Sequence, residues 1–444
     1  MHSNHPLTHL PILPTIWRLS LPNMVAMLAG ALVTIAETSY IGRLGTFPLA
    51  GMALVFPMVM LQQMISAGAM GGGISSAISR AIGAGENHKA NQLVLHAMWI
   101  SLGLGVFYSF LFLVWGRDIF AFIGGSGVAL DEAVAYAQIA FAGAIGIWLT
   151  NAFASAIRAS GDMRTPSIVL VLVALGQVVI GGILGLGLGP IPRLGMAGVA
   201  AGQVIAFALS AIYLAHYLRS DACRVHLRLS DPLVPAYFKD ILRVGAMASI
   251  SSVQTVLTIL ILTKIIAGFG PEALAGYGIG TRLEFLLIPI TFAIGVACVP
   301  MVGVAMGAGM VARAKKVAWV GSALAAGIVG ITGMLAAVFP QHWATLFSSN
   351  ADVMAITELY LVGVAPFYGF FALGLCLYFA SQGAGKLLGP VLAGTLRLVM
   401  VAGGGFFMAQ QGCSLSSLFT LIAAAMVVYG TATAASVYGV RWQI

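Results

Sequence analysis

Long, nearly uninterrupted apolar segments alternate with short polar connections along the whole chain. A helix needs about 20 mostly apolar residues to cross the hydrocarbon core of a bilayer. Twelve segments reach that length, and we predict spans at 13–44, 48–78, 91–116, 131–157, 165–189, 195–218, 241–269, 272–305, 313–339, 353–381, 387–410 and 415–440. Because the apolar residues are consecutive and do not alternate with polar ones, a transmembrane β-barrel is excluded. The pattern predicts an all-α integral membrane protein.

The composition also indicates an integral membrane protein. Of the 444 residues 60% are hydrophobic and 8% are charged, whereas a soluble domain carries about 25% charged residues. The 55 glycines would weaken soluble helices but allow close helix contacts in lipid. Four widely spaced cysteines indicate neither a disulfide framework nor a metal site. The N-terminal His2, His5 and His9 could form a metal-binding tract, but we interpret them as a disordered polar tail.

Lysine and arginine are concentrated in alternate connections. If the N-terminus is inside, fifteen basic residues lie in inner segments and only Arg43, Arg117 and Arg193 in outer ones. Since cytoplasmic loops are enriched in basic residues, we expect both termini to be cytoplasmic in a multi-pass protein of the bacterial inner membrane. The net charge of +8 is then a topology signal, and no nucleic-acid partner is expected.

The sequence also repeats itself. Gly45 recurs as Gly270 in matching Gly…Leu-Ala-Gly runs, Gly83-Ala84-Gly85 recurs as Gly307-Ala308-Gly309, and Gly161…Pro166 recurs as Gly385…Pro390, all 224 or 225 positions apart. This offset covers six spans, an even number, so we expect two parallel six-helix lobes related by a pseudo-twofold axis along the membrane normal, with a cleft between them. We predict an N-terminal lobe (1–218), a polar cytoplasmic linker (219–240) and a C-terminal lobe (241–444).

Two of the 13 acidic residues, Glu37 and Glu284, fall deep inside predicted spans. Glu37 precedes Gly45 by eight residues, which places it about 12 Å below the outer end of its helix at 1.5 Å per residue. An ionisable group at that depth is a functional hypothesis by default. Because burial disfavours its charged form, Glu37 suits a proton carrier, and we take it as the candidate cation-coupling residue. A purely structural glutamate is the alternative.

The second acid lies beside two deep basic residues. Arg282 and Glu284 are two positions apart and therefore face different partners on their helix. Arg397, near the middle of the eleventh span, could neutralise Glu284 or meet a substrate, and we expect pairing. The run of Gly68, Gly71, Gly72 and Gly73 lacks the Gly-Lys-Ser/Thr that binds phosphate, so we assign it to helix packing.

Several stretches resemble the multidrug and toxic compound extrusion family. AETSYIGRLGTFPLAG (36–51) and SRAIGAGE (79–86) resemble the opening of these transporters, and LGPIPRLGMAGVAAG (188–202), GYGIGTRLE (276–284) and VGVAMGAG (302–309) are similar to later signatures. The resemblance covers essentially the whole chain. It implies an antiporter, not an enzyme, that uses a cation gradient and no cofactor to export small organic, cationic and amphiphilic compounds, and we expect a monomer.

The departures from the family pattern bear on the coupling ion. Members typically carry Asp where this chain has Glu37, and some place Asn and Asp where it has Gln177 and Gly181. The sodium-coupled NorM branch has acids in the seventh and tenth spans. In this chain Gln254 occupies the position in the seventh span, and no acid follows Glu358 in the tenth. Sodium prefers several oxygen ligands, so proton coupling is favoured and the chain resembles the DinF-like branch more closely. Gln177, Gln254 and Tyr40 are further candidates for the cleft or for coupling.

Two other functions stay open. A flippase for a lipid-linked sugar belongs to the related superfamily and shares the architecture, but such proteins usually have a strongly basic cavity, and here only Arg282 and Arg397 lie deep. A membrane-embedded enzyme would need clustered catalytic groups. The sequence has no His-Glu-x-x-His run, paired Asp or Ser-His constellation.

Overall fold

A computed structural model describes residues 5–439 and Trp442. Within this part of the chain every regular element is helical, as expected where lipid cannot satisfy backbone hydrogen bonds. Eleven helical segments are long and apolar enough to cross a membrane, and the bent pair α5 (Gly127–Ala142) and α6 (Ala144–Ala159) makes a twelfth. The predicted all-α membrane fold is confirmed. His2, and Arg441, which is one of the fifteen basic residues counted on the inner side, lie outside the described residues.

The connection between Tyr217 and Pro235, here called the central connection, separates the helices into two groups. Before it, the remaining helices are α1 (Ile12–Leu44), α2 (Thr46–Gln63), α3 (Gly71–Gly83), α4 (Asn87–Phe122), α7 (Arg164–Leu186) and α8 (Gly195–Tyr217). A π-helical stretch, Met64–Met70, joins α2 to α3. These three elements together form one span of 38 residues.

The helices after the central connection are α9 (Pro235–Ala267), α10 (Pro271–Gly307), α11 (Val311–Val338), α12 (Pro340–Ala344), α13 (Ala351–Val364), α14 (Tyr368–Gly383), α15 (Leu388–Val399), α16 (Gly405–Gln410) and α17 (Leu415–Gly439). A 3₁₀ turn, Ala365–Phe367, continues α13 into α14, and a π-helical turn, Met400–Gly404, continues α15 into α16.

The described chain divides into two compact units. One is formed by Leu21–Ala246, and the other by residues 5–20 together with the described residues from Met247 onward. Each predicted span corresponds to a helix or to a run of consecutive helical elements whose ends lie within six residues of the predicted ones. The largest differences are α4, which ends at Phe122 and not at 116, and α9, which begins at Pro235 and not at 241. Proline is well tolerated in the first turn of a helix.

The fourth span is bent by 47° between α5 and α6. Gly143 lies at the break, where a Cβ atom would lie 2.4 Å from Val204 Cγ1. A larger residue therefore could not occupy the bend without moving α8.

All of the repeated glycines have positive φ, with similar values within each pair. Gly45 and Gly270 have φ of 135° and 111°, Gly85 and Gly309 have 77° and 74°, and Gly161 and Gly385 have 91° and 70°. Residues with a Cβ atom rarely adopt positive φ. The repeat thus preserves the conformation in which one helix ends and the next begins.

Helix packing is duplicated as well. A Cβ atom on Gly51 of α2 would lie 2.9 Å from Ala133 N of α5, and one on Gly276 of α10 would lie 2.9 Å from Val353 O of α13. Gly73, from the glycine run, would meet Gly245 N at 2.9 Å. Such contacts bring backbones together as small residues do between membrane helices, which agrees with the packing role assigned to that run.

The prediction of a disordered N-terminal tail is wrong from His5 onward. His5 Nδ1 accepts a hydrogen bond from Leu7 N, 3.3 Å away, at the start of a 3₁₀ turn, Pro6–Thr8. The Arg313 guanidinium donates to the carbonyls of Leu7 (3.1 Å) and Leu10. Leu7 is also buried, so apolar burial and a charged donor together order the segment.

We expect Gly51→Ala to destabilise the protein by about 1–3 kcal/mol, the usual cost of overpacking, because the new methyl would press on the backbone of α5. Gly30→Ala in α1 is the matched control, since no atom lies within 4 Å of its Cβ position. That control should be neutral or slightly stabilising, as Ala favours helix over Gly. Thermal unfolding in detergent measures both variants, and equal midpoints would contradict the close contact.

Candidate functional site

Glu37 lies on the part of α1 that belongs to the first unit and is 6% exposed. Its Oε1 atom accepts a hydrogen bond from Gln177 Nε2 of α7 at 2.7 Å. The structure therefore brings together two of the residues singled out in the sequence. Within the described chain Glu37 forms no ion pair, so a neutral amide is its hydrogen-bonding partner.

Small residues on α7 and α8 position Gln177. A Cβ atom on Gly202 of α8 would lie 2.3 Å from Gly181 N, so α7 and α8 cross here with their backbones in contact. A side chain at position 181 would lie against Val199 O, 3.2 Å from its Cβ atom. A second carboxylate at this position would therefore press on the backbone of α8.

Two tyrosines lie near the Glu37 carboxylate. Tyr40, one turn further along α1, packs its ring against Gly182, where a Cβ atom would lie 3.3 Å from Cε2. Tyr136 of α5 is buried and donates to Gln203 Oε1 at 3.2 Å. The hydroxyl groups of both tyrosines lie within electrostatic range of the Glu37 carboxylate.

The sequence interpretation missed Tyr136, although a signal for it exists. Tyr136 and Tyr360 are 224 positions apart, which is the offset of the repeat. Each tyrosine hydroxyl donates to a polar side chain of its own unit, Gln203 and Glu284 respectively. A comparison of the two halves would have found this pair.

Chemically, the first-unit site is a carboxyl group with one amide donor. Because the amide is bonded to Oε1, the Oε2 atom can take up or lose a proton while the Gln177 contact stays in place. A carboxylate in this environment can therefore exist in both protonation states. One carboxylate and one amide are also few ligands for a hard metal cation.

The second unit has its own buried polar cluster around Glu284 of α10. Glu284 Oε2 accepts a hydrogen bond from Tyr360 of α13 at 3.2 Å. The expected ion pair with Arg397 is wrong, since no contact within 4 Å joins the two charged groups in the described chain. Instead the Arg397 guanidinium lies 4.8 Å from the ring centre of Phe371 and 5.7 Å from that of Tyr429. Aromatic faces attract a cation, and they hold Arg397 at a distance from which it acts on Glu284 only through its charge.

Arg282 and Gln254 have separate surroundings in the second unit. The Arg282 guanidinium lies 5.1 Å from the Phe347 ring centre, on a different face from Glu284, as the spacing predicts. Gln254 of α9 donates to Thr395 Oγ1 of α15 at 2.8 Å. A threonine hydroxyl, and not a carboxylate, is thus the partner that Gln254 binds.

Another polar cluster, which the sequence interpretation missed, lies at the π-helical stretch of the first unit. Asn151 Nδ2 donates to Ser66 Oγ at 2.8 Å and to Gln63 Oε1 at 3.2 Å. π-Helical turns often occur at functional sites. Neither residue type nor spacing marks a π-helical turn in the sequence.

Comparison with known proteins adds a family match to this geometry. The family model described as MatE matches residues 22–183 and 248–406, more than half of the chain. One matched stretch lies in each unit.

Two similar proteins are named as transporters or resistance proteins. A protein named FAD transporter, from Shewanella oneidensis, is 26% identical over 86% of this chain and 84% of its own length. A protein named Probable multidrug resistance protein NorM, from Thermotoga maritima, is 27% identical over 84% and 81%. Among solved structures, a MOP superfamily transporter from Pyrococcus furiosus matches with a TM-score of 0.89 at 24% identity, covering 97% of this chain and 96% of that one. This last likeness shows the fold.

We expect Gln177→Leu to lower stability by about 1–3 kcal/mol at a pH where Glu37 is ionised, because a buried acceptor loses its donor. In a Glu37→Leu background the same change should cost much less, since both polar partners are then absent. Thermal unfolding in detergent gives the four midpoints of this double-mutant cycle.

The matched control is Gln254→Leu, which removes an amide from the other unit. It should lower the stability by the same amount in the wild-type and Glu37→Leu backgrounds. If Gln177→Leu also cost the same in both, the Glu37–Gln177 hydrogen bond would have no energetic role.

Proposed function

The chain belongs to the multidrug and toxic compound extrusion (MatE) family, and from that premise we propose that it is a proton-coupled antiporter exporting small amphiphilic organic compounds. Members of this family are transporters and not enzymes, so the enzyme hypothesis is set aside. The observation that carries the proposal is the buried Glu37 carboxyl group with a neutral donor, Gln177, at 2.7 Å.

The ligands around Glu37 favour a proton over sodium. A bare cation would need several oxygen ligands, whereas a proton needs one carboxyl oxygen and a low-dielectric site. Gly181 packs closely against α8, which leaves little room for a second acid there. We therefore propose that the chain is nearer to the DinF-like branch than to the NorM branch.

The proposed cycle is an alternating-access exchange. When the protein is open to the outside, Glu37 takes up a proton, which weakens its hold on the substrate or rearranges α1 so that the substrate leaves. After the protein reopens inward, the proton passes to the cytoplasm and the carboxylate can again bind substrate. Proton entry thus drives export, and no cofactor takes part.

For the substrate class we favour organic cations, because the two deep carboxyl groups Glu37 and Glu284 attract positive charge. A second candidate is a flavin nucleotide, which is supported by the similarity to the Shewanella protein named FAD transporter. A lipid-linked sugar flippase ranks below both. Of its two candidate phosphate-binding residues, Arg397 is held between aromatic rings and Arg282 lies over Phe347.

In proteoliposomes carrying a proton gradient or a sodium gradient, we expect wild-type protein to export a fluorescent lipophilic cation only with the proton gradient. Glu37→Gln should reduce that export to the rate of empty liposomes, because the amide cannot carry a proton. Glu37→Asp should keep part of it, since the carboxyl group is retained on a shorter arm. FAD replaces the cation in a parallel assay.

The matched control is Glu272→Gln, which makes the same chemical change at an exposed position in the first turn of α10 and should leave export unchanged. Full activity of Glu37→Gln would overturn the coupling role, and export driven by sodium would overturn proton coupling. Transport of FAD without transport of the cation would move the flavin candidate to first place.

The proposed orientation has both termini in the cytoplasm, residues 219–240 as the cytoplasmic linker between lobes 1–218 and 241–444, and a single chain in the bacterial inner membrane.

The thiol introduced by Ser230→Cys, with Cys413→Ser, should react with a membrane-impermeant maleimide only in inside-out vesicles. In the wild type, Cys413 should react only from the outside of intact cells. Cys223 is a poor reporter, because burial raises the pKa of its thiol and maleimide reacts with the thiolate. Labelling of both introduced and native thiols from one side would contradict this topology.

A further inference from the structure

The segment that connects α8 to α9 has a fixed structure close to the membrane surface. It joins Tyr217, the last residue of one span, to Pro235, the first of the next, so it must lie near the level of the lipid headgroups. Burial alternates along it, with Cys223, Val225 and Leu227 buried and Arg224 and Arg228 exposed. The apolar side chains thus anchor the segment and its arginines point outward.

Hydrogen bonds fix the same segment to its own unit. Leu227 N donates to Leu218 O at 2.9 Å, and His226 N donates to Asn91 Oδ1 of α4 at 2.8 Å. Further along, Val234 N donates to His96 Nε2 at 2.8 Å. The backbone that carries the arginines is therefore held on both sides.

A shallow surface cavity of about 510 Å³, largely open to solvent, lies in this segment and is lined by Arg219, Asp221, His226, Arg228, Leu229 and Ser230, among others. Two guanidinium groups against one carboxylate give it a positive charge. Within the described chain neither Arg219 nor Arg228 takes part in an ion pair, although three other ion pairs form there. Unpaired arginines match phosphate oxygens in charge and geometry.

Exposed apolar side chains occur at the cavity and further along the same segment. Leu229 lines the cavity and is 56% exposed, and Leu233, four residues later, is 50% exposed. At the headgroup level, exposed leucines next to arginines suit a ligand with a charged head and hydrocarbon chains.

We propose that this cavity binds the phosphodiester headgroup of an anionic phospholipid, with Arg219 and Arg228 on the phosphate and the acyl chains beside Leu229 and Leu233. Clusters of basic residues next to a membrane span attract anionic lipids, and the cavity supplies a defined place for one headgroup. The site would tie the connection between α8 and α9 to the lipid surface. It does not depend on which compound is transported or on the coupling ion.

The experiment uses the purified full-length protein in detergent. Binding of phosphatidylglycerol is measured by native mass spectrometry and by the rise in the thermal unfolding midpoint on adding that lipid, with phosphatidylcholine as the neutral lipid. We expect Arg219→Gln/Arg228→Gln to weaken phosphatidylglycerol binding about tenfold or more and to abolish the selective rise in midpoint. Arg219→Lys/Arg228→Lys keeps the charges and should retain most of the binding.

The matched control is Lys315→Gln/Lys316→Gln at the start of α11, which removes the same charge from another connection on the same predicted side and should leave binding unchanged. An equal loss in this control would show general surface attraction and overturn the site. An unchanged affinity in the Arg219→Gln/Arg228→Gln protein would overturn it as well.

Glycerol 3-phosphate tests whether the acyl chains matter. We expect it alone to cause no shift in the midpoint, and a shift equal to that of phosphatidylglycerol would mean a site for a soluble phosphate instead. If Arg219→Gln/Arg228→Gln does not purify as a monodisperse protein, Leu229→Ser/Leu233→Ser replaces it. That variant should weaken the lipid response while leaving any glycerol 3-phosphate response unchanged, and an undiminished lipid response would overturn the proposal.

Discussion

The requirement that every backbone amide and carbonyl in lipid be bonded within its own segment governs the rest of this structure. It makes each span a helix, and it leaves the connections as the places where the chain can turn. A sharp turn directly after a helix needs positive φ, which glycine adopts without strain. Gly85 and Gly309, or Gly161 and Gly385, hold such corners at equivalent positions. Once these turns fix the order and direction of the helices, the small residues on facing helices determine where their backbones come into contact.

A second constraint is the cost of placing charge among these helices. The two units meet it differently. In the first, Glu37 is bonded to an uncharged amide, so its protonation can change without breaking an ion pair. In the second, Glu284 is bonded to a tyrosine hydroxyl while Arg397 is stabilised by two aromatic rings. The first arrangement suits a carboxyl group that gains and loses a proton. The second suits the guanidinium charge of Arg397, which stays in place.

Much of the fold could be predicted from the sequence, because span length and apolar content follow from bilayer thickness. The choice of Glu37 followed from its distance to Gly45, and Gln177 was singled out by resemblance and not by geometry. The hydrogen bond between the two was not predicted. Other features depend on contacts that one-dimensional spacing does not contain. At the bend, Gly143 is in close contact with Val204 on another helix. The direct pairing of Arg397 with Glu284 was wrong because the sequence does not show that Phe371 and Tyr429 surround the guanidinium. The ordered N-terminal segment depends on Arg313, some 300 positions away.

The matched corners of the two units also bear on the origin of the protein. Glu37 has Leu262 at the equivalent position 225 residues later, so the duplicated halves share their turns but not their acids. A six-helix ancestor that associated with a second copy of itself would have needed these turns to fold and could not have carried different chemistry on its two sides. Two halves within one chain are free of that constraint. Here the first half carries a carboxyl group bonded to an amide, and the second carries a carboxyl group bonded to a tyrosine hydroxyl together with a guanidinium between aromatic rings, a difference that identical subunits could not have.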